Sequence, residues 1–257
     1  MKLDDIKISR AIIERFSSKL LDSLSCDVAI VGGGPAGLTA AYYLAGQKKK
    51  TVLFERKLSL GGGMWGGGIM FNEIVVQSGG REILEELGVK TTPFEEGYFC
   101  ADSVEAVSSI CSVASKAGAR IFNLFSVEDV RIADDRVDGL VINWSAVELA
   151  QLHVDPITIR AKYIVDATGH AAEIANIIQN KGGYELKTPT GKLMGEGPMC
   201  AELGERMILE NTKEIFAGVF AAGMACNAIF GAPRMGPIFG GMLMSGKKVA
   251  QLLLEKL

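Results

Sequence analysis

Apolar positions near the start of the chain recur at helical spacing: Ile6, Ile8, Ile12, Ile13, Phe16 and Leu20 lie among charged and polar neighbours. This predicts an amphipathic helix over 6–21, packed on the domain or on a partner. The pattern then changes to short continuous apolar runs. Residues 26–31 (CDVAIV) and 51–55 (TVLFE) read as buried strands. A glycine turn at 32–37 and an apolar helix at 38–47 separate them. Strand, turn, helix, strand is a βαβ unit, and it implies a parallel pair.

Further along, helices are expected over 74–87, interrupted by Gly79 and Gly80, and over 103–116. A strand at 120–125 leads into paired strands over 126–142 that turn at Asp134 and Asp135. Short strands follow at 157–161 and 163–166, then a helix at 171–180. Residues 182–199 are rich in Gly, Pro, Lys and Thr and read as a mobile loop or lid. A strand at 215–222 and a last helix within 237–254 complete the pattern. Gly61 to Gly68 reads as a flexible loop carrying Met64 and Trp65 at its centre. No linker and no repeat period divides the chain, so 1–257 is expected to form a single α/β domain.

Composition narrows the class. The chain has 257 residues, 22% of them charged, a net charge of -3 and 31 glycines. Bulk electrostatics give no reason to expect nucleic-acid binding. Five cysteines, an odd number with no close CxxC pair, point away from a disulfide or zinc scaffold and toward a reducing cytoplasm. The first residues include acids and lack an apolar core of signal-peptide type. No apolar run is long enough to span a bilayer. The three lysines at 48–50 read as a solvated turn.

The glycine turn carries the first chemistry. Gly32, Gly34 and Gly37 form G-x-G-x-x-G after an apolar strand and before a helix, the context in which that motif means dinucleotide binding. The first glycine permits the tight turn, the second lets backbone approach a pyrophosphate, and the third lets helix pack on strand. The helix N-terminus then faces the anion. Glu55 ends the second strand, where a carboxylate accepts hydrogen bonds from an adenosine ribose, and Arg56 follows it. Strands ending in small residues at 165–169 (VDATG) and 216–223 (FAGVFAAG) allow further close approach at the same edge. The combination resembles the glutathione-reductase-like class of Rossmann-like dinucleotide-binding folds, with a small inserted β-rich region.

The chain has only two histidines, His153 and His170. His153 and Asp155 share a side if 152–156 is extended. Imidazole and carboxylate suit Fe(II), Mn(II) or Zn(II), but two donors leave a site incomplete unless substrate, water or another subunit contributes. The residues alone favour hydrogen-bonded structural histidines over a metal site. None of the cysteines has a base beside it in sequence, so nucleophilic thiol chemistry has no local support.

Five segments in order are similar to the thiamine thiazole synthase family, in particular its methanogen-type archaeal branch: VGGGPAGL at 31–38, GGGMWGGG at 61–68, LHVDP at 152–156, VDATGH at 165–170 and GAPRMGPIFGGM at 231–242. The resemblance covers nearly the whole chain. It implies that NAD is a substrate, consumed with glycine and a sulfur atom to give an adenylated thiazole carboxylate with release of nicotinamide. It implies that Gly32, Gly34, Ala36 and Gly37 cradle the pyrophosphate, with Gly63 against the ligand. Glu55, Arg56 and Val127 would bind the adenosine end, and His153, Val154, Asp155 and Met224 would also touch the dinucleotide. Asp155 and His170 match the family's Fe(II) ligands, and Arg234 would clamp the glycine carboxylate. His153 would assist proton transfer or serve only to position the ligand.

Eukaryotic members of that family donate the sulfur of a cysteine in a segment resembling C-x-D-P. Here the segment is His153-Val154-Asp155-Pro156, and imidazole has no sulfur to give. The resemblance therefore implies the branch that uses free sulfide and turns over. It also implies a homo-octamer with sites near subunit boundaries. Two other classes stay open from the residues: a small FAD- or NAD-dependent oxidoreductase, and a non-catalytic NAD-binding protein.

Overall fold

The computed structural model describes residues 2–257. Helix α1 (Asp5–Ser23) begins at an N-cap, Asp4, whose carboxylate accepts the Ile6 and Lys7 amides. The βαβ unit follows as β1 (Ser25–Val31), α2 (Pro35–Gly46) and β2 (Thr51–Glu55). Strand β3 (Glu73–Val76) and helix α3 (Ser78–Glu86) stand where one helix over 74–87 was expected. The β-branched run Ile74-Val75-Val76 instead pairs with a later strand, and the two glycines open the helix rather than interrupt it. A side chain at Gly80 would meet the Cα of Gly240 at 2.5 Å, so close helix packing explains that glycine.

Strands β4 (Thr92–Glu95) and β5 (Tyr98–Asp102) complete a small antiparallel sheet with β3 in the order β3-β5-β4. They are followed by α4 (Ser103–Lys116), β6 (Arg120–Asn123), the hairpin β7 (Phe125–Ala133) and β8 (Arg136–Trp144), and the short α5 (Ser145–Leu149). Strand β9 (Ile157–Asp166) is continuous, where two short strands were expected; Lys162 is an outward position on it. The helix expected over 171–180 is broken into a 3-10 turn at Gly169–Ala171, α6 (Glu173–Asn176) and a wider turn at Ile177–Lys181. Ala172, buried with φ +43°, forces that break. Then come α7 (Ala201–Asn211), β10 (Glu214–Phe216), β11 (Val219–Ala221), α8 (Met224–Ile229) and α9 (Gly240–Leu254). The strand expected over 215–222 is a hairpin, because Gly218 at φ +86° reverses the chain.

The parallel core of the main sheet runs β6-β2-β1-β9-β11. Strand β9 has an unusual outer edge. Its first half pairs antiparallel with β8, and its second half pairs parallel with β11. Alternate residues of the core strands feed two apolar layers. Val28, Ile30, Leu53 and Val165 pack under α2, α3, α4 and α9. Ala29, Val31, Phe54 and Ile164 pack under the β7–β8 hairpin and the 172–229 region. This is the doubly covered α/β architecture expected from the apolar strand runs. Helix α1 lies at the sheet margin through Phe16, stacked near Phe125 and Trp144 and edge-to-face with Phe122. Its Ile6, Ile12, Ile13 and Leu21 remain exposed. No helix among the described residues is long and apolar enough to cross a membrane.

Candidate active site

In an open parallel sheet the carboxyl ends of the strands are where ligands bind. A cleft of about 1760 Å³ opens at that edge, ample for a dinucleotide with a second reactant. The glycines of the first turn divide their work. Gly32 has φ +104°, and a Cβ there would sit 2.3 Å from the Ala167 carbonyl oxygen. A Cβ at Gly37 would come within 2.0 Å of the Gly32 carbonyl oxygen. Both are therefore required by packing. Gly34 lines the cleft with no atom within 4 Å of its missing Cβ, and so does Gly63. Open space over backbone at these two points is what a ligand would fill. Gly32 and Ala36 also line the cleft, while Gly37 packs against the Gly32 carbonyl behind it.

At the carboxyl end of β2, Glu55 is buried. One carboxylate oxygen accepts the Gly33 amide at 2.8 Å and the other the Lys57 amide at 2.8 Å. Arg56 reaches across to Glu173 at 2.5 Å. Burial pushes the Glu173 carboxyl up, and the Arg56 charge opposes that shift. Val127, on β7, lines the same cleft. Beneath lies Asp166, fully buried, which burial pushes up and hydrogen bonds from Thr168 and from the start of α6 oppose. It accepts the Thr168 hydroxyl at 2.7 Å and the Ala175 amide at 3.0 Å, while Thr168 in turn accepts the Glu173 amide. This network fixes the bend that carries His170.

The same cleft is also lined by His153, Val154, Asp155, His170, Met224 and Arg234. His153 and Asp155 come from the irregular, exposed segment before β9, not from an extended strand. Met224 is nearly buried at the start of α8 and packs in the core while it lines the cleft. His170 Nδ1 lies 2.5 Å from Glu196 Oε1. Glu196 belongs to the segment expected to be a mobile lid. That segment is instead strapped down: Met194 donates to Ile229, Gly197 to Ala232, Arg234 to Gly197 and Cys200 to Arg234, all through backbone. The glycine-rich composition reflects turns at Gly191 and Gly195, both with positive φ.

As a test for iron, the donor chemistry fits: an imidazole held at one nitrogen by a carboxylate, and a second carboxylate, Asp155, on the same cleft. No group of three His, Cys, Asp or Glu side chains suited to a metal occurs among the described residues. The set fits an open site that substrate atoms or a second subunit would complete. Glu173 and Glu196 escaped the sequence reading, because their partners Arg56 and His170 are distant in sequence; Thr168 lay within the quoted VDATGH segment without a role assigned to it.

The fold and cleft define a Rossmann-type dinucleotide-binding α/β protein of the glutathione-reductase-like class. A similar fold occurs in the geranylgeranyl bacteriochlorophyll reductase-like protein of Thermoplasma acidophilum, with a TM-score of 0.58 at 16% identity over 90% of this chain and 78% of that one. Residues 9–239 match the Thi4 family, and the chain belongs to that family. It is 60% identical over the full length of both chains to the thiamine thiazole synthase of Methanothermobacter thermautotrophicus. It is 53% identical to that of Pyrococcus abyssi over 99% of each chain. The crystal structure of Thermovibrio ammonificans THI4 superposes with a TM-score of 0.98, at 54% identity and 99% coverage of each chain.

Proposed function

We propose that this chain is a thiazole synthase that consumes NAD, glycine and free sulfide, releases nicotinamide and forms an adenylated thiazole carboxylate. One observation carries the reading. A chain of the Thi4 family has a single cleft lined both by a pyrophosphate-type glycine turn and by Asp155, His170 and Arg234. The glycine turn and α2 N-terminus bind the pyrophosphate, with Gly63 leaving room above it. Glu55 and Arg56 take the adenosine end beside Val127. His153, Val154 and Met224 line the nicotinamide-side ribose. Arg234 takes the glycine carboxylate through its two-pronged guanidinium. Asp155 and His170 hold Fe(II), which when bound supplies Lewis-acid polarisation and a template for the small reactants.

Free sulfide is supported by the thiols. None of the five cysteines lines the cleft, and position 153 is a histidine. The whole chain acts as one NAD-binding unit within a homo-oligomer, an octamer by family resemblance, working in the cytoplasm. The 50–60% relatives carry the synthase name, which favours this reading over an oxidoreductase or a silent NAD binder.

Anaerobic protein incubated with NAD, glycine, sulfide and Fe(II) is expected to yield several thiazole products per chain by mass spectrometry. Absence of thiazole from folded, iron-loaded protein overturns the reaction. At most one product per chain, with loss of protein sulfur, overturns the free-sulfide reading alone.

A further inference from the structure

The contact between His170 and Glu196 is braced on both sides. Glu196 is the less exposed partner, its side chain 20% accessible against 50% for His170. Its backbone is strapped to 229–234 on either side, through Met194 with Ile229 and Gly197 with Ala232 and Arg234. His170 sits in the 3-10 turn Gly169–Ala171, closed by the Ala172 amide on the Gly169 carbonyl at 3.1 Å. That turn follows Thr168, which is held by buried Asp166. Neither partner needs to search for the other.

We propose that Glu196 is a positioning residue for His170: its carboxylate accepts the Nδ1–H and thereby fixes the tautomer in which Nε2 carries the ligating lone pair. This rests on the reading of His170 as an Fe(II) ligand. A neutral imidazole has one N–H, and an ionised carboxylate can only accept, so the proton belongs on Nδ1. Holding the distal nitrogen also fixes the ring plane, an arrangement whose loss lowers metal affinity about 10- to 100-fold elsewhere. Because the strap that carries Glu196 is hydrogen-bonded to Arg234 at both its amide and its carbonyl, the ring is oriented by the same backbone that presents the proposed glycine clamp.

The test is anaerobic binding of Fe(II), with Co(II) as a spectroscopic probe, by wild type, E196Q, E196A, H170A and the E196A/H170A pair. E196A is expected to bind roughly 10- to 100-fold more weakly. E196Q should recover part of that loss, since an amide oxygen still accepts Nδ1–H. The effect of E196A should vanish in the H170A background. Wild-type affinity in E196A, with weakened binding in H170A, overturns the positioning role alone. A loss from E196A that persists in the H170A background assigns Glu196 a contact with the metal of its own and overturns it too, as does E196Q no better than E196A. Unchanged binding in H170A overturns the metal reading beneath it. Independently of any Glu196 variant, nitrogen-15 shifts of His170 in metal-free protein, assigned against H153A at a pH where the ring is neutral, should report the Nδ1–H tautomer; a neutral ring with its proton on Nε2 overturns the proposal.

Discussion

Two glycines of one motif make opposite predictions. Gly34→Ala places its methyl in open space at the cleft, so the folded chain should keep its melting temperature. NAD binding, measured by calorimetry, should fall at least about tenfold, because the methyl occupies the approach to the pyrophosphate. Gly37→Ala drives its methyl to 2.0 Å from a backbone carbonyl and should cost on the order of 2 kcal/mol or more in denaturant unfolding. Equal effects of the two on stability would refute this division. The thiols give a second residue-level expectation. Burial pushes Cys26 and Cys226 up to about 12 and Cys111 up to about 11. At pH 8 a thiol with that higher pKa is thiolate in about one molecule in ten thousand, and the fraction rises tenfold per pH unit. Iodoacetamide should therefore label exposed Cys200 first and spare Cys26 and Cys226 until the chain unfolds, as peptide mass spectrometry would register.

At the level of elements, the 193–200 strap is the main departure from what composition suggests. Glycine, proline and lysine in sequence read as mobility, yet the backbone there finds partners in 229–234. In hydrogen exchange, the amides of Gly197, Cys200 and Arg234 should exchange more slowly than neighbours without partners; uniform fast exchange would restore the lid. Elements built from local pattern were legible: α1 from its spaced apolar residues, the βαβ unit from two apolar runs around a glycine turn, and α4 from its own periodicity. Elements defined by distant partners were not. Ile74-Val75-Val76 became a strand because β5 lies beside it, and Ala172 broke a helix because its buried place demands a left-handed backbone. The site followed the same rule. Motif residues were found, whereas Glu173 and Glu196 are defined by contacts to Arg56 and His170, distant in the chain.

For the whole molecule, the edge of the sheet opposite the cleft offers a pH probe away from the chemistry. Burial pushes the Asp27 carboxyl up, but hydrogen bonds from Lys162 and the Lys50 amide outweigh it and hold the group below its usual range. A carboxyl depressed in the fold adds stability above its unfolded pKa, near 4, and loses it as pH falls through the folded value. Asp27→Asn should thus destabilise at pH 7, by under about 1 kcal/mol for a pair open to water. The difference should fade on acidification below pH 4 in paired melting curves. The second probe is assembly. Ile12 and Ile13 are 65% and 64% exposed on α1, a heavy apolar load for an outer face. The double replacement of both by Asp should shift sedimentation toward smaller species; an unchanged profile would exclude α1 from the proposed oligomer.

The Gly33 amide on Glu55 has a consequence for redesign. An engineer wishing to convert this cleft to a 2′-phosphorylated dinucleotide would begin by replacing the acid at the end of β2 with a neutral or basic residue. Here that acid is also the keystone of the glycine turn, gripping one of its amides from below. With the ribose-binding role proposed for Glu55, nucleotide choice and the shape of the turn become mechanically one variable. A swap at Glu55 would blunt affinity for both nucleotides before it favoured either, unless another acceptor were supplied to Gly33.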